Sequence, residues 1–250
     1  IDSIHYRGPD HTGFWSSKDS NLAVAHKRLS ILDLSDRSNQ PFNDKNAKFT
    51  IVFNGEIYNY LDLKDDLLLL GHSFETSSDT EVIYKGYSEW GTKVFSRLQG
   101  MFAIAIIDEA KNKIILARDR VGEKPLFYSR ADGLFCFASE IKPLLELDVV
   151  NKDIDMKSLY YLFSKGYTPS TKSIFLQISK LDASEFLEYS LDDGQLSINK
   201  YWDLEKKITD NPQEKSSNEE HLINKLEKLL EESIDLQLNA DVPVGMLLSG

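Results

Sequence analysis

The sequence predicts an α+β fold in which helices cover largely antiparallel sheets, and three observations predict it. Short runs of alternating or β-branched apolar residues recur along the first half of the chain. Two helical runs, each closed by a glycine, stand between the early strands and the later ones. Strand-like runs at 125–129 and 134–138 are joined across Asp132-Gly133, a turn pair suited to positive φ.

Taken in order, residues 22–25 and 49–53 read as strands. Residues 60–70 follow with helical spacing and end at Gly71, and residues 80–90 form a second helix ending at Gly91. The second opens with Ser78-Asp79-Thr80-Glu81, whose serine and glutamate fit a capping box. The strands at 101–108, 113–117, 125–129 and 134–138 are expected to form one antiparallel meander, and a later helix is expected near 156–163. Residues 206–220 are polar and rich in Asp, Asn, Pro and Ser, which marks a linker and places a domain boundary near 202–220. Beyond it, Leu222, Leu226, Leu229, Leu230, Ile234 and Leu238 have helical spacing, and 241–248 reads as a buried strand.

With 250 residues, 41% of them hydrophobic, the chain can bury a substantial core. A formal net charge of −11 works against nucleic acid and anionic membrane surfaces as partners. No apolar run is long enough to span a bilayer. The single cysteine, Cys136, excludes an internal disulfide and a multi-thiolate metal site and fits a reducing, cytoplasmic compartment. Its alternating surroundings read as a strand, and the thiol as a buried, inert one. The opening Ile1-Asp2-Ser3-Ile4-His5 has neither an initiator Met nor the basic and apolar regions of a signal peptide, so the sequence is expected to start inside a longer polypeptide.

The run Phe53-Asn54-Gly55-Glu56-Ile57-Tyr58-Asn59 lies between a strand-like stretch and a helix-like one. On its own, Asn54-Gly55 reads most simply as a hairpin turn. The helical pattern after it leaves a second reading open, in which the Asn amide and a closely approachable Gly N–H at a strand end face an oxyanion.

Arg7-Gly8-Pro9-Asp10, the run His26-Lys27-Arg28-Leu29-Ser30-Ile31-Leu32-Asp33 with Gln40-Pro41 downstream, Asn54-Gly55-Glu56-Ile57-Tyr58-Asn59, Ser78-Asp79-Thr80-Glu81, Gly100-Met101-Phe102-Ala103, Ala117-Arg118-Asp119-Arg120, Lys124-Pro125-Leu126 and Ala138-Ser139-Glu140 stand in a specific order. In that order they resemble the N-terminal class II glutamine amidotransferase domain of glutamine-hydrolysing asparagine synthases, over essentially the whole chain. The terminal Asp241-Val242-Pro243-Val244-Gly245 and Leu247-Leu248-Ser249-Gly250 resemble the opening of that family's ATP-pyrophosphatase loop.

The resemblance implies an N-terminal-nucleophile four-layer αββα sandwich of two antiparallel sheets over residues 1–205. Residues 206–250 would then hold a linker, a helix and the first strand of an α/β synthetase domain. It implies a mature N-terminal cysteine nucleophile, which this sequence does not contain, and Cys136 has no free amine with which to replace it. By resemblance Arg28 clamps the glutamine α-carboxylate with two donors, Glu56 and Asp79 accept its α-ammonium, Asn54 and Gly55 donate to the oxyanion, and Leu29, Ser30, Ile31 and Leu32 line the pocket. Read alone, Arg28 fits a solvated surface ion pair better than a ligand clamp, and Asp79 a helix-start acid. Arg7 to Asp10, Arg118 to Arg120 and Ser139-Glu140 are read as scaffold positions.

In the complete protein the resemblance implies ATP and Mg2+, with Leu247, Ser249 and Gly250 contributing to the nucleotide site, and no metal in the glutaminase domain. The expected activity is ammonia release from glutamine for ATP-dependent amidation of aspartate, the fragment itself being inactive. A homodimer is left open. One departure concerns the acceptor: Lys180-Leu181-Asp182-Ala183-Ser184-Glu185 stands where the family commonly has Lys-Leu-Pro-Pro-Gly. Other carboxylate acceptors such as a sugar acid, or a nucleophile-less structural homologue, therefore stay as alternatives.

Overall fold

The computed structural model describes residues 1–19, 21–43, 49–169, 171–210 and 218–245. Its strands are β1 (His11–Ser16), β2 (Ala23–Arg28), β3 (Thr50–Ile57), β4 (Gly100–Asp108), β5 (Lys113–Arg118), β6 (Phe127–Ala131), β7 (Leu134–Ala138), β8 (Ile178–Lys180), β9 (Glu185–Ser190) and β10 (Leu196–Lys200). Its α-helices are α1 (Tyr60–Leu69), α2 (Asp79–Trp90), α3 (Val94–Arg97), α4 (Ile141–Leu145), α5 (Met156–Lys165), α6 (Leu204–Asp210) and α7 (Glu219–Gln237). A five-stranded antiparallel sheet runs β10-β9-β5-β4-β3, and it is faced by a two-stranded sheet, β1-β2, and a three-stranded one, β7-β6-β8.

Because successive strand residues point to opposite faces, each strand of the central sheet feeds two cores. Ile51, Phe53, Ile57, Phe102, Ile104, Ile106 and Ile115 face the helices, where they meet Leu63 and Leu67 of α1 and Val82, Ile83 and Tyr87 of α2. Val52, Ala103, Ala105, Ile114 and Leu116 face the other way, toward Val24 of β2 and Tyr128, Phe135 and Phe137 of β6 and β7. Outside the three-stranded sheet, Ile141, Leu144 and Leu145 of α4 close over Phe127, Cys136 and Ile178. The layers are thus αββα, the expected sandwich, with its second sheet divided between β2 and β7.

Several local expectations are corrected. The four strands from 101 to 138 are not one meander: β4 and β5 belong to the central sheet, β6 and β7 to the facing one. The crossover is built by the buried Asp119. Its Oδ1 accepts from the N–H groups of Val121 and Glu123, and its Oδ2 from those of Phe102 and Lys124, at 2.9 to 3.2 Å. Arg118 donates to the carbonyls of Lys124, Gly122 and Leu181, and β9 takes the edge of β5 that a meander would have used. The scaffold reading of these two residues fits that arrangement.

The capping box is half formed. Ser78 Oγ accepts from Glu81 N, but the Glu81 carboxylate turns to the N–H groups of Glu75 and Thr76 and the Thr76 hydroxyl. Burial decides this: Glu81 is 2% exposed, and three donors within the preceding loop satisfy its oxygens better than one N–H would.

Asn54-Gly55 is neither a hairpin turn nor a strand end. It lies inside β3, which continues in register to Ile57 opposite Gly100. Gly55 has φ +155°, and a Cβ there would sit 2.0 Å from Met101 O, so only glycine lets β3 and β4 approach this closely.

In the expected linker, 204–210 is helical, and residues 211–217 lie outside the described residues. Residues 241–245 form no strand, for no neighbouring strand pairs with them; residues 246–250, including Leu247, Ser249 and Gly250 of the expected nucleotide loop, lie outside the described residues. The helix at 219–237 has the expected leucine spacing, yet Leu226 remains 58% exposed.

Candidate functional site

The site is organised by the outer edge of β3, the last strand of the central sheet. Phe102, opposite Gly55, spends its N–H and C=O on Asp119, on the side away from β3. Gly55 and Phe102 are therefore a non-hydrogen-bonded pair, and the backbone groups of residues 51, 53, 55 and 57 point outward from the sheet. Three of those outward N–H groups are taken: Ile51 donates to Phe42 O, Phe53 to Gln40 Oε1 at 2.6 Å, and Ile57 to Asp79 Oδ2 at 3.1 Å. Gly55 N–H is the one without an acceptor among the described residues, and it faces a cavity of about 280 Å³.

That cavity is bounded by the end of β2, the loop after it, β3 and the start of α2. Of the expected site residues it brings together Arg28, Leu29, Ile31, Leu32, Asn54, Gly55, Glu56 and Asp79. Ser30 is not brought in: its N–H is held by Asp10 Oδ2 at 2.8 Å. The volume suits a ligand of amino-acid size.

Its charges are divided. Asp79, in the first turn of α2, is 6% exposed, and its carboxyl is pushed up to about 7, mainly by burial and secondarily by Glu56, against the pull of the Ile57 N–H. Glu56 is raised by burial and drawn down by Lys124. The negative charge of Glu56 works against ionisation of Asp79. A cation between them would bring Asp79 to its ionised form.

Arg28 lies opposite, buried to 6% exposure at the end of β2. Its Nη1 donates to Ser35 O at 3.1 Å and Asn39 Oδ1 at 2.8 Å, and its Nη2 to the carbonyls of Leu32 and Asp33. All four terminal N–H groups are engaged, so the two-pronged carboxylate clamp is not formed here. Burial lowers the guanidinium pKa, and Asp33 and Asp79 hold it up.

Several contributors lie outside the expected set. Gln40 ties β3 to α2 by accepting from Phe53 N and donating to Thr80 Oγ1. Asp33, at φ +49°, accepts from Ser35 N and Oγ and from Ser77 N, linking the pocket loop to the start of α2. Lys124 lines the cavity beside Glu56. His26 lines it too, with Nε2 3.0 Å from Phe53 O. Burial drives its pKa down to about 4, so the neutral ring donates from Nε2 and leaves a buried Nδ1 without a partner among the described residues. Gln40, Asp33, Lys124 and His26 all stand within the motif runs, but a run of letters does not say which member turns inward.

A second cavity of about 480 Å³ adjoins the first, sharing Arg7, His26, Lys27, Phe53 and Asn54. It lies in the division of the second sheet, between β2 and β7, with Val52, Ala103 and Ala105 of the central sheet at its floor. One end is tied by Arg7 Nη1 to Glu140 Oε1 at 2.8 Å, Tyr6 also donating to Glu140. Asn54 donates to Ser139 Oγ at 3.3 Å across this slot. Cys136 packs in the core beneath α4, with burial raising its thiol pKa.

Fold and site together define an αββα sandwich with an amino-acid-sized pocket at the edge of its central sheet, where a free backbone N–H faces paired acids. The chain belongs to the glutamine amidotransferase domain family, whose model matches residues 1–202. It is similar to asparagine synthetase (glutamine-hydrolyzing) 2 of Bacillus subtilis, 39% identical over 254 residues that cover 100% of this chain and 33% of that protein. Asparagine synthetase (glutamine-hydrolyzing) 3 of the same organism is 36% identical, with 100% and 39% covered. The chain spans 33% to 50% of the length of the first curated relatives it matches. Among solved structures, the glutamine phosphoribosylpyrophosphate amidotransferase of B. subtilis superposes with a TM-score of 0.50 at 22% identity, covering 72% of this chain and 35% of that one. That likeness is one of fold, and it bears out the expected sandwich.

Proposed function

We propose that this chain is the glutamine-hydrolysing part of an asparagine synthetase and that the cavity beside β3 binds L-glutamine. The observation that carries the reading is the outward Gly55 N–H, left open in a strand edge whose other outward N–H groups are all capped. The α-ammonium sits between Glu56 and Asp79, the α-carboxylate lies toward the Arg28 wall, and the side-chain amide reaches Asn54 and Gly55 at the mouth of the slot. Attack on the amide carbon puts negative charge on its oxygen, where Gly55 N–H and Asn54 Nδ2 donate. As a thiol forms a C–S bond to that carbon, its proton passes to the amide nitrogen and the C–N bond breaks to release ammonia; water then cleaves the thioester to glutamate and restores the thiol, so one water is consumed for each ammonia formed.

The nucleophile in this reading is a cysteine outside residues 1–250, carried on a strand that fills the slot between β2 and β7 and so joins the divided sheet. Cys136 does not serve, since its backbone nitrogen is no free amine and burial raises its thiol pKa. The ammonia acceptor is aspartate, activated with ATP and Mg2+ elsewhere in the longer polypeptide. Leu247, Ser249 and Gly250, the residues assigned to that nucleotide site, fall outside the described residues.

Ammonia release from L-glutamine by the complete polypeptide tests this reading. Glu56→Gln with Asp79→Asn should raise the glutamine KM by about tenfold or more, the scale of a lost charged hydrogen bond, while synthesis from free ammonia persists. An unchanged KM would show that the acids serve something other than the substrate amine.

A further inference from the structure

The segment after α7 returns to the pocket. Asp241 N–H donates to Ile31 O at 3.0 Å, and Asp241 Oδ2 accepts from Asp33 N at 2.8 Å. Nearby, the Asn239 side chain hydrogen-bonds Tyr60 at the start of α1, and Leu236 and Leu238 line one open cavity together with Tyr58 and Leu61. Asp241 thus grips both ends of the three-residue stretch 31–33 from behind.

That stretch lies one covalent step from the pocket chemistry. Ile31 and Leu32 are pocket wall, and the Leu32 and Asp33 carbonyls hold Nη2 of Arg28. The Asp33 carboxylate reaches Ser77 N, two residues before Asp79. Backbone contacts of this kind fix carbonyl directions, and carbonyl directions fix a guanidinium.

We propose that Asp241 is a positioning residue for the pocket, holding the 31–33 wall and through its carbonyls the Arg28 guanidinium, so that glutamine affinity depends on the docking of the segment after α7. The inference rests on the glutamine reading of the cavity. It makes the start of the chain's last segment an energetic partner of the substrate site. By linkage, glutamine must tighten Asp241's hold by the factor by which Asp241 tightens glutamine.

The test is an L-glutamine titration of this chain followed by amide NMR, with Asp241→Ala and Asp241→Asn as variants. Asp241→Ala should weaken glutamine by about tenfold and speed exchange of the Asp33 and Ser35 amides, because one charged acceptor is lost. Asp241→Asn, which keeps an acceptor for Asp33 N–H, should recover most of the affinity. In the unmutated chain, saturating glutamine should slow exchange at Asp241 N–H, a response that a purely structural contact would not give. Unaltered glutamine affinity in Asp241→Ala, or an Asp241 amide indifferent to glutamine, overturns the proposal. A failure of the unmutated chain to bind glutamine overturns the functional reading alone. The clamp is then judged on the Asp33 and Ser35 amides, and unchanged exchange there in Asp241→Ala overturns it as well.

Discussion

Replacing Asp79 by asparagine should remove a destabilisation that the folded chain acquires between about pH 4 and about pH 7. Burial raises the Asp79 carboxyl from its ordinary 3.8 to about 7, so across that window the folded state holds a proton that the unfolded chain has released. Unfolding therefore becomes easier as pH rises, and the full penalty is present above pH 7. At about 1.4 kcal/mol for each tenfold change in proton activity, the difference is at most about 4 kcal/mol. Asparagine mimics the neutral acid: its Oδ1 can still accept the Ile57 N–H, and it carries no charge to desolvate. Urea unfolding of both proteins from about pH 4 to about pH 8 gives the stability difference directly. Their curves should diverge with rising pH, the variant becoming the more stable by up to about 4 kcal/mol on the alkaline side. Parallel curves would refute the buried, uncompensated state of Asp79 and with it the waiting place for a cation.

Three further substitutions probe the frame around that place. Gly55→Ala drives a Cβ to 2.0 Å from Met101 O at a backbone φ of +155°, and the combined strain and overpacking should cost about 3 kcal/mol or more in urea unfolding; a loss below about 1 kcal/mol would show that β3 and β4 separate easily. Asp119→Asn sets an amide NH2 against N–H donors now shared by two carboxylate oxygens, and should lower stability by about 3 kcal/mol; a melting temperature within a degree or so of the unmutated chain would contradict its role in the crossover. Asn54→Ala in the complete polypeptide should lower glutaminase kcat by about 100- to 1,000-fold with little change in KM, whereas a loss of thermal stability with kcat intact would make Asn54 a structural residue.

Most of this architecture was legible because alternation and helix spacing are local. The strands at 101–108 and 113–117 and the helices ended by Gly71 and Gly91 stand close to where the letters place them, and Gly71 closes α1 with His72 N–H reaching back to Leu67 O. Asn54-Gly55 misleads for a physical reason. Positive φ serves a tight turn and a close strand approach alike, and only the position of Gly100 opposite Ile57 decides between them. The break between β5 and β6 was hidden because Asp119 acts on N–H groups spread from residue 102 to residue 124. In the site, the motif runs located Asn54, Glu56 and Asp79, but Arg28's engagement with loop carbonyls and the grip of Asp241 on Asp33 depend on contacts between distant segments. Ser184 shows the reverse case: it departs from a family glycine and still adopts the left-handed φ of +59°, so the backbone there keeps its path without the glycine.

The most direct test of the glutamine pocket is an amide NMR titration of this chain with L-glutamine, set beside glutaramate, the same molecule without its amine. L-glutamine should shift the Gly55 and Ile57 amides and release close to one proton per molecule bound at about pH 6, where Asp79 is still protonated in the free chain, as its ammonium ionises Asp79. Glutaramate should bind far more weakly and release none. Equal binding of the two, or a Gly55 amide that neither one moves, would contradict the assignment of this cavity to glutamine.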